Sequence, residues 1–113
     1  MHPTNFEVQA HFFIAGVYLK QVLIPDDHEI VSHKHLHDHA SILAHGCVIV
    51  ETDDGIQNVY FGPEVIEIKA GVTHKVLAVN GPAIWYCIHA TDCTDPEQVD
   101  AVLIEKAAEV HNV

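Results

Sequence analysis

Between Phe6 and His89 the chain is cut at short intervals by glycine, proline, asparagine and aspartate, and the pieces between the cuts are rich in β-branched and aromatic residues. Pieces of this length and composition suit strands and are too short for ordinary helices. Residues 6–14 (FEVQAHFFI), 16–24 (GVYLKQVLI), 29–35, 40–52 (ASILAHGCVIVET), 56–61, 65–70, 76–79 and 83–89 read as strands. The cuts carry recognisable turn chemistry: Pro25-Asp26-Asp27, the hairpin signal Thr52-Asp53-Asp54-Gly55, Gly62-Pro63, Gly71, and Asn80-Gly81-Pro82. Gly46 interrupts an otherwise apolar run and marks a bulge or a close backbone approach. No helical pattern alternates with the strands, so a parallel α/β sheet is excluded in favour of an all-β barrel or sandwich. The end of the chain differs. Asp95 as N-cap, Pro96 in the first turn and Gln98 three residues after the cap open a helix expected over about 96–109, with Val99, Val102, Leu103 and Ala107 at helical spacing. With 113 residues and neither repeat nor linker, the expectation is one domain over 1–113, a barrel over about 6–90 with the helix packed on it.

Charge narrows the partners. Sixteen acidic residues face five basic ones, all lysines, for a formal net charge of -11 with histidine neutral. Such a chain repels nucleic acid and anionic lipid. Without arginine, recognition of an anion falls to a lysine, a backbone nest or a metal. The three cysteines (Cys47, Cys87 and Cys93) form no CxxC pair, and Cys47 and Cys87 sit in apolar runs as small core residues. No apolar run is long enough to span a bilayer, and Met1 to Asn5 lack a basic-then-apolar layout. These features lead us to expect a soluble, cytoplasmic protein with reduced thiols.

The run "HKHLHDHASILAHG" holds five histidines: His33, His35, His37, His39 and His45. Imidazole nitrogens gathered in one place suit a divalent transition metal. His33 and His35, two apart on an extended segment, leave on the same side of it. A residue a few positions on can re-enter the same site, and a distant one must close it. His74 in "AGVTHKV", following a glycine turn and opening a strand, is suited to that closing role.

At this point the sequence resembles the cupin superfamily. The first cupin motif is HxH, three or four residues, a glutamate, six residues and a glycine. Here His33 and His35 are followed by three residues, His39, six residues and Gly46, so the spacing fits and histidine replaces the glutamate. The second motif, a glycine, a gap, then PxG, two residues and histidine, is matched by Gly62, then Lys69-Ala70-Gly71 and His74. Lys69 stands at the proline position, the trailing asparagine is displaced to Asn80, and the glycine that often precedes the first motif is absent. The resemblance covers about residues 28–90. It implies a jelly-roll barrel, usually a homodimer formed through barrel sheets, holding one divalent ion (Fe, Mn, Ni, Zn or Cu) on His33, His35, His39 and His74. Four imidazoles lack the negative charge of a glutamate ligand, leaving the ion more Lewis acidic.

The remaining residues invite plainer readings. His37 is a spare at the strand bend, His45 faces outward or lines the mouth of the site, and His89 either faces the cavity or lies outside it. His2, His11, His28 and His111 are expected at the surface. Glu67 is a solvated strand residue. Tyr60, Trp85 and Tyr86 suit the core or rim better than a pocket. Neither a GxSxG serine nor a phosphate-binding glycine loop is present. The resemblance therefore implies oxygenase or isomerase chemistry on a small molecule. The alternatives are a binding module without turnover and an assembly protein with a structural metal.

Overall fold

The computed structural model describes residues 6–31 and 38–90, and all its regular elements are strands. They are β1 (Glu7–Ile14), β2 (Val17–Ile24), β3 (Glu29–Val31), β4 (His39–Thr52), β5 (Gln57–Phe61), β6 (Glu64–Ile68) and β7 (His74–Ala90), every pairing antiparallel. The all-β barrel expected from the sequence is present. The helix expected over 96–109 lies outside the described residues, and among those residues no helix is long and apolar enough to cross a membrane.

Two long strands organise the rest. β4 and β7 pair from Ala40↔Ile88 at one end to Thr52↔His74 at the other, and each bends midway. The bend divides the pair between two facing sheets. One half of β4 takes β6 as its other neighbour while the matching half of β7 takes β2, and β1 follows at the edge. The other half of β4 takes β5, and the first half of β7 takes β3. Period-2 alternation then fixes which side chains meet between the sheets. Val22, Ile24, Leu43, Ile66, Trp85 and Cys87 come from the first sheet, and Ile30, Val48, Val50, Val76 and Ala78 from the second. Cys47 and Cys87 are both buried, as the apolar runs around them required.

The bend is where sequence and fold diverge instructively. Asn80-Gly81-Pro82 looks like a turn between two strands, yet β7 runs through it unbroken, so the two short runs at 76–79 and 83–89 are one strand. Asn80 and Gly81 take positive φ and re-aim the strand without ending it. Gly46 is the matching bend in β4, flanked by register shifts at Leu43/His45 and His45/Cys47. A Cβ on Gly46 would stand 2.7 Å from the Pro82 carbonyl oxygen and 3.0 Å from the Ala83 Cα, and its φ is +97°. The Gly46 carbonyl also accepts a hydrogen bond from the Gly62 N–H at 2.8 Å. The two bends thus rest directly on each other.

The Thr52–Gly55 turn forms as its sequence demands. The Asp54 carboxylate accepts from the Ile56 N–H at 3.1 Å and from the Thr52 hydroxyl, and Gly55 has φ +84°. Gly55 has open space where a Cβ would go, so it isolates the backbone term from the steric one. Gly55→Ala should cost about 1–2 kcal/mol through positive φ alone. Gly46→Ala should cost clearly more, because backbone must also move. Urea unfolding of the two variants checks this, and equal losses would refute the close-approach account.

Candidate functional site

Three histidines point into the barrel at one end. His39 opens β4 and is 8% exposed, His74 opens β7 at 4%, and His89 lies near the end of β7 at 6%. The strand pattern explains this placement. His39, Ser41 and Leu43 alternate inward along β4, as do Trp85, Cys87 and His89 along β7. His39 falls one step beyond the Ala40↔Ile88 pair, opposite His89, and the two rings lie 4.1 Å apart between centroids. Tyr18, paired with His89 across β2, stacks on Phe13 at 4.9 Å and shares a 2.6 Å hydrogen bond with Nδ1 of the exposed His11. His89 therefore faces the interior, while His45 is exposed, in line with its outward reading.

Ring orientation at His39 and His74 is set by backbone carbonyls. Nδ1 of His39 lies 3.0 Å from the Ala40 carbonyl oxygen, and Nδ1 of His74 lies 3.1 Å from that of Val72. A carbonyl only accepts, so each Nδ1 carries the proton, and in the neutral ring Nε2 bears the lone pair. Burial pushes the pKa of both below the ordinary imidazole value. At His39 the carbonyl of Ala40 opposes the shift, His74 adds to it, and Asp38 opposes it. At His74 the Val72 carbonyl and Asp53 oppose it. The His74 contribution at His39 is consistent with both rings being buried in the one interior.

The loops around the site are tied together. Asp38 accepts a hydrogen bond from the Ala70 N–H at 2.8 Å and lies 3.8 Å from Lys69, which also pairs with Glu67 at 3.1 Å. The residue before His39 therefore holds the turn that leads to His74. Lys69, at the position where the resembled motif has proline, is an exposed partner in this tie. A surface groove of about 350 Å³ opens along β4 and β6, with Asp38, His39, Ala40, Val65, Ile66 and Glu67 as its walls.

His33, His35 and His37 lie outside the described residues. The chain's positions on either side of them are informative. Val31, the last residue of β3, pairs with Lys75, the neighbour of His74, and Asp38 leads into His39. Val31 thus lies beside one buried histidine and Asp38 beside the other. Among the described residues alone, no group of three or more His, Cys, Asp or Glu side chains could hold a metal ion.

The reading of the sequence did not single out Lys20 or Ser41, which are 4% and 0% exposed on the same inner wall. Alternation in VYLKQVLI places Tyr18, Lys20, Val22 and Ile24 on one side. Only the fold decides that this is the inside.

This architecture is the cupin fold, a double-stranded β-helix. Solved structures similar to the chain include an RmlC-like cupin family protein from Methanocaldococcus jannaschii (12% identity, TM-score 0.66, covering 86% of this chain and 87% of that one). Another is a cupin superfamily protein from Desulfitobacterium hafniense (13%, 0.64, 81% and 83%). A third is an uncharacterized conserved protein with a double-stranded β-helix domain from Klebsiella pneumoniae (17%, 0.64, 82% and 81%). At these identities the likeness establishes the fold alone. No family model and no curated protein sequence matches the chain.

The lowered pKa values set an acid limit on the stability of the fold. The unfolded chain takes up protons near pH 6.5 and the folded chain resists them, so stability is full above about 6.5 and falls as pH drops toward the lowered folded values. Urea midpoints measured in EDTA should be flat from pH 8 to 7 and decline below 6.5. His74→Leu should lessen that decline, and a variant with an unchanged slope would contradict the assignment.

Proposed function

We propose that the chain binds one divalent transition metal ion through His39 and His74 together with His33 and His35, at the mouth of the barrel, and uses it on a small molecule. The observation that carries this reading is the carbonyl-anchored Nδ1 on both buried histidines. Metal-bound histidines characteristically donate their other ring N–H to a carbonyl or carboxylate, which fixes the tautomer and the ring plane. Burial that keeps both rings neutral works in the same direction, since only neutral imidazole ligates. The tethering of residues 31 and 38 beside His74 and His39 supports the inclusion of His33 and His35.

The donor set is all nitrogen and fits Fe, Mn, Ni, Zn or Cu without choosing among them. When bound, such an ion supplies Lewis acidity at an open position. The chain's own contribution is to hold His39 and His74 in fixed tautomers and to keep water from the barrel interior with the Val22, Leu43 and Trp85 layer below. Oxygenase or isomerase chemistry on a small molecule is the activity class we favour. No described carboxylate is buried beside the histidines to act as an acid or base, so a binding role without turnover is the second reading.

Elemental analysis of untagged protein reconstituted with each metal in turn tests the proposal. One equivalent is expected, with His39→Ala and His74→Ala each weakening binding more than about 100-fold and the exposed His45→Ala leaving it intact. Affinity should fall as pH drops through about 6.5. Wild-type protein that stays metal-free with all five ions would refute the reading.

We further propose a homodimer formed through the outer face of the β1-β2-β7-β4-β6 sheet. Phe12, Ile14 and Val65 are exposed there, and Leu19, Ile42, Ile84 and Ile88 are half-buried between them. Two copies carrying -11 each associate only across a face with little charge, and this face bears Glu7 and Glu67 at its opposite edges with apolar residues between them. Light scattering should give a dimer that Phe12→Glu combined with Val65→Lys converts to monomer. A wild-type monomer at high concentration would overturn this.

A further inference from the structure

Among the described residues, the strands at the sheet edges are β1 and β6 in one sheet and β3 and β5 in the other. An edge strand is kept from pairing with other chains by charge, proline, a bulge or brevity. β1 carries Glu7 and a register shift between Val8 and Ala10. β3 is three residues long and begins with Glu29. β6 carries Glu64 and Glu67. β5 has none of these guards. It reads QNVYF, and its register with β4 is unbroken from Cys47↔Phe61 to Glu51↔Gln57.

Two hydrogen bonds fix which backbone groups of β5 are spoken for. The Thr52 N–H donates to the Ile56 carbonyl at 3.0 Å, and the Gly62 N–H donates to the Gly46 carbonyl at 2.8 Å. Ile56 and Gly62 therefore turn their backbone groups toward β4. In an antiparallel ladder this alternates, so Asn58 and Tyr60 also face β4. Gln57, Val59 and Phe61 turn their N–H and C=O groups to the side that β4 does not occupy. Their side chains stand on the outer face of the sheet, with Val59 55% and Phe61 70% exposed, while Tyr60 packs against the core. This edge belongs to the sheet opposite the one assigned above to the homodimer.

Charge decides what suits the edge. Asp53 and Asp54 precede β5 and Glu64 follows it, all three exposed. A second copy pairing antiparallel about Val59 would set Asp54 of each chain against Glu64 of the other. Two chains of -11 repel each other as well. A strand with basic ends meets opposite charge at both ends instead.

We propose that β5 is a docking edge for an extended peptide segment of another protein, which adds to the sheet as a further strand. The segment is apolar at the alternate positions beside Val59 and Phe61 and basic at its two ends. Backbone hydrogen bonds supply the pairing, and side chains supply the selection. The proposal depends neither on the metal nor on the homodimer.

The probe is the peptide acetyl-KVTVTVK-amide, titrated into full-length ¹⁵N-labelled protein and followed by NMR. The amides of Gln57, Val59 and Phe61 should shift saturably and gain protection from hydrogen exchange, while those of Asn58 and Tyr60 gain little. The peptide acetyl-EVTVTVE-amide should bind at least about 10-fold more weakly. Val59→Pro removes an outward N–H and no bond to β4, a substitution an edge strand accommodates, and should weaken binding at least about 10-fold. Phe61→Ser, expected to weaken it about 10-fold, is the deciding variant if Val59→Pro does not fold. Four results overturn the proposal. They are shifts that do not saturate, protection that spares Gln57, Val59 and Phe61, equal affinity for the two peptides, or affinity unchanged in a folded variant. Protection of the same amides by raised protein concentration alone would assign the edge to a second copy and overturn it too.

Discussion

Everything in this barrel hangs on the antiparallel pairing of β4 with β7. The two strands are long enough to serve both sheets, and they do so because both bend at the same height, Gly46 against Pro82 and Ala83. An unbent pair would be a flat ribbon with no interior. A pair broken at the bend would leave two small sheets with nothing to hold them face to face. The contact tolerates no Cβ at position 46, so the shape of the cavity is traceable to one missing methyl group. The bend also separates the roles of the halves. Val48, Val50, Val76 and Ala78 fill the core in one sheet, and Ser41, Cys87 and His89 line the interior in the other.

The same pairing composes the site. His39 and His74 are the first residues of the two long strands, and they enter the barrel from opposite sheets. Each is oriented by a carbonyl within two residues of itself in sequence, so ring orientation is a local property of the strand start. Their proximity is a global one. Asp38 joins the two scales, since it precedes His39 and grips the Ala70 amide in the turn before His74. Moving down from the histidines, the rows run from imidazole and phenol, through ammonium, thiol and hydroxyl, to indole and aliphatic side chains.

Much of the fold was legible because turn chemistry is local. Asp54 and Gly55 dictate their hairpin wherever it sits, and Gly46 announced a close approach without saying to what. Asn80-Gly81-Pro82 misled because the same residues that end a strand can also bend one, and only the neighbouring β4 decides between the two. In the site, the spacing from His39 to Gly46 and from Gly71 to His74 singled out the two histidines that prove buried at the barrel mouth. His33 and His35 rest on the motif and on the anchoring of the chain to either side of them.

His89 and Lys20 mark the limit of sequence reasoning. Each lies on a strand with a clear period of two, so the sequence determines which residues share a side with them. It does not determine which side is inside, because both sides of β2 and β7 are largely apolar. That choice belongs to the register with the neighbouring strands, which places Lys20 beside Cys87 and His89 beside Tyr18. Sequence alone therefore determined most of the strands, the turns other than Asn80-Gly81-Pro82, and the histidine spacing, all set by short-range sterics and hydrogen bonding. The tertiary structure decided which faces meet, because burial is a property of two sheets together and of neither strand alone.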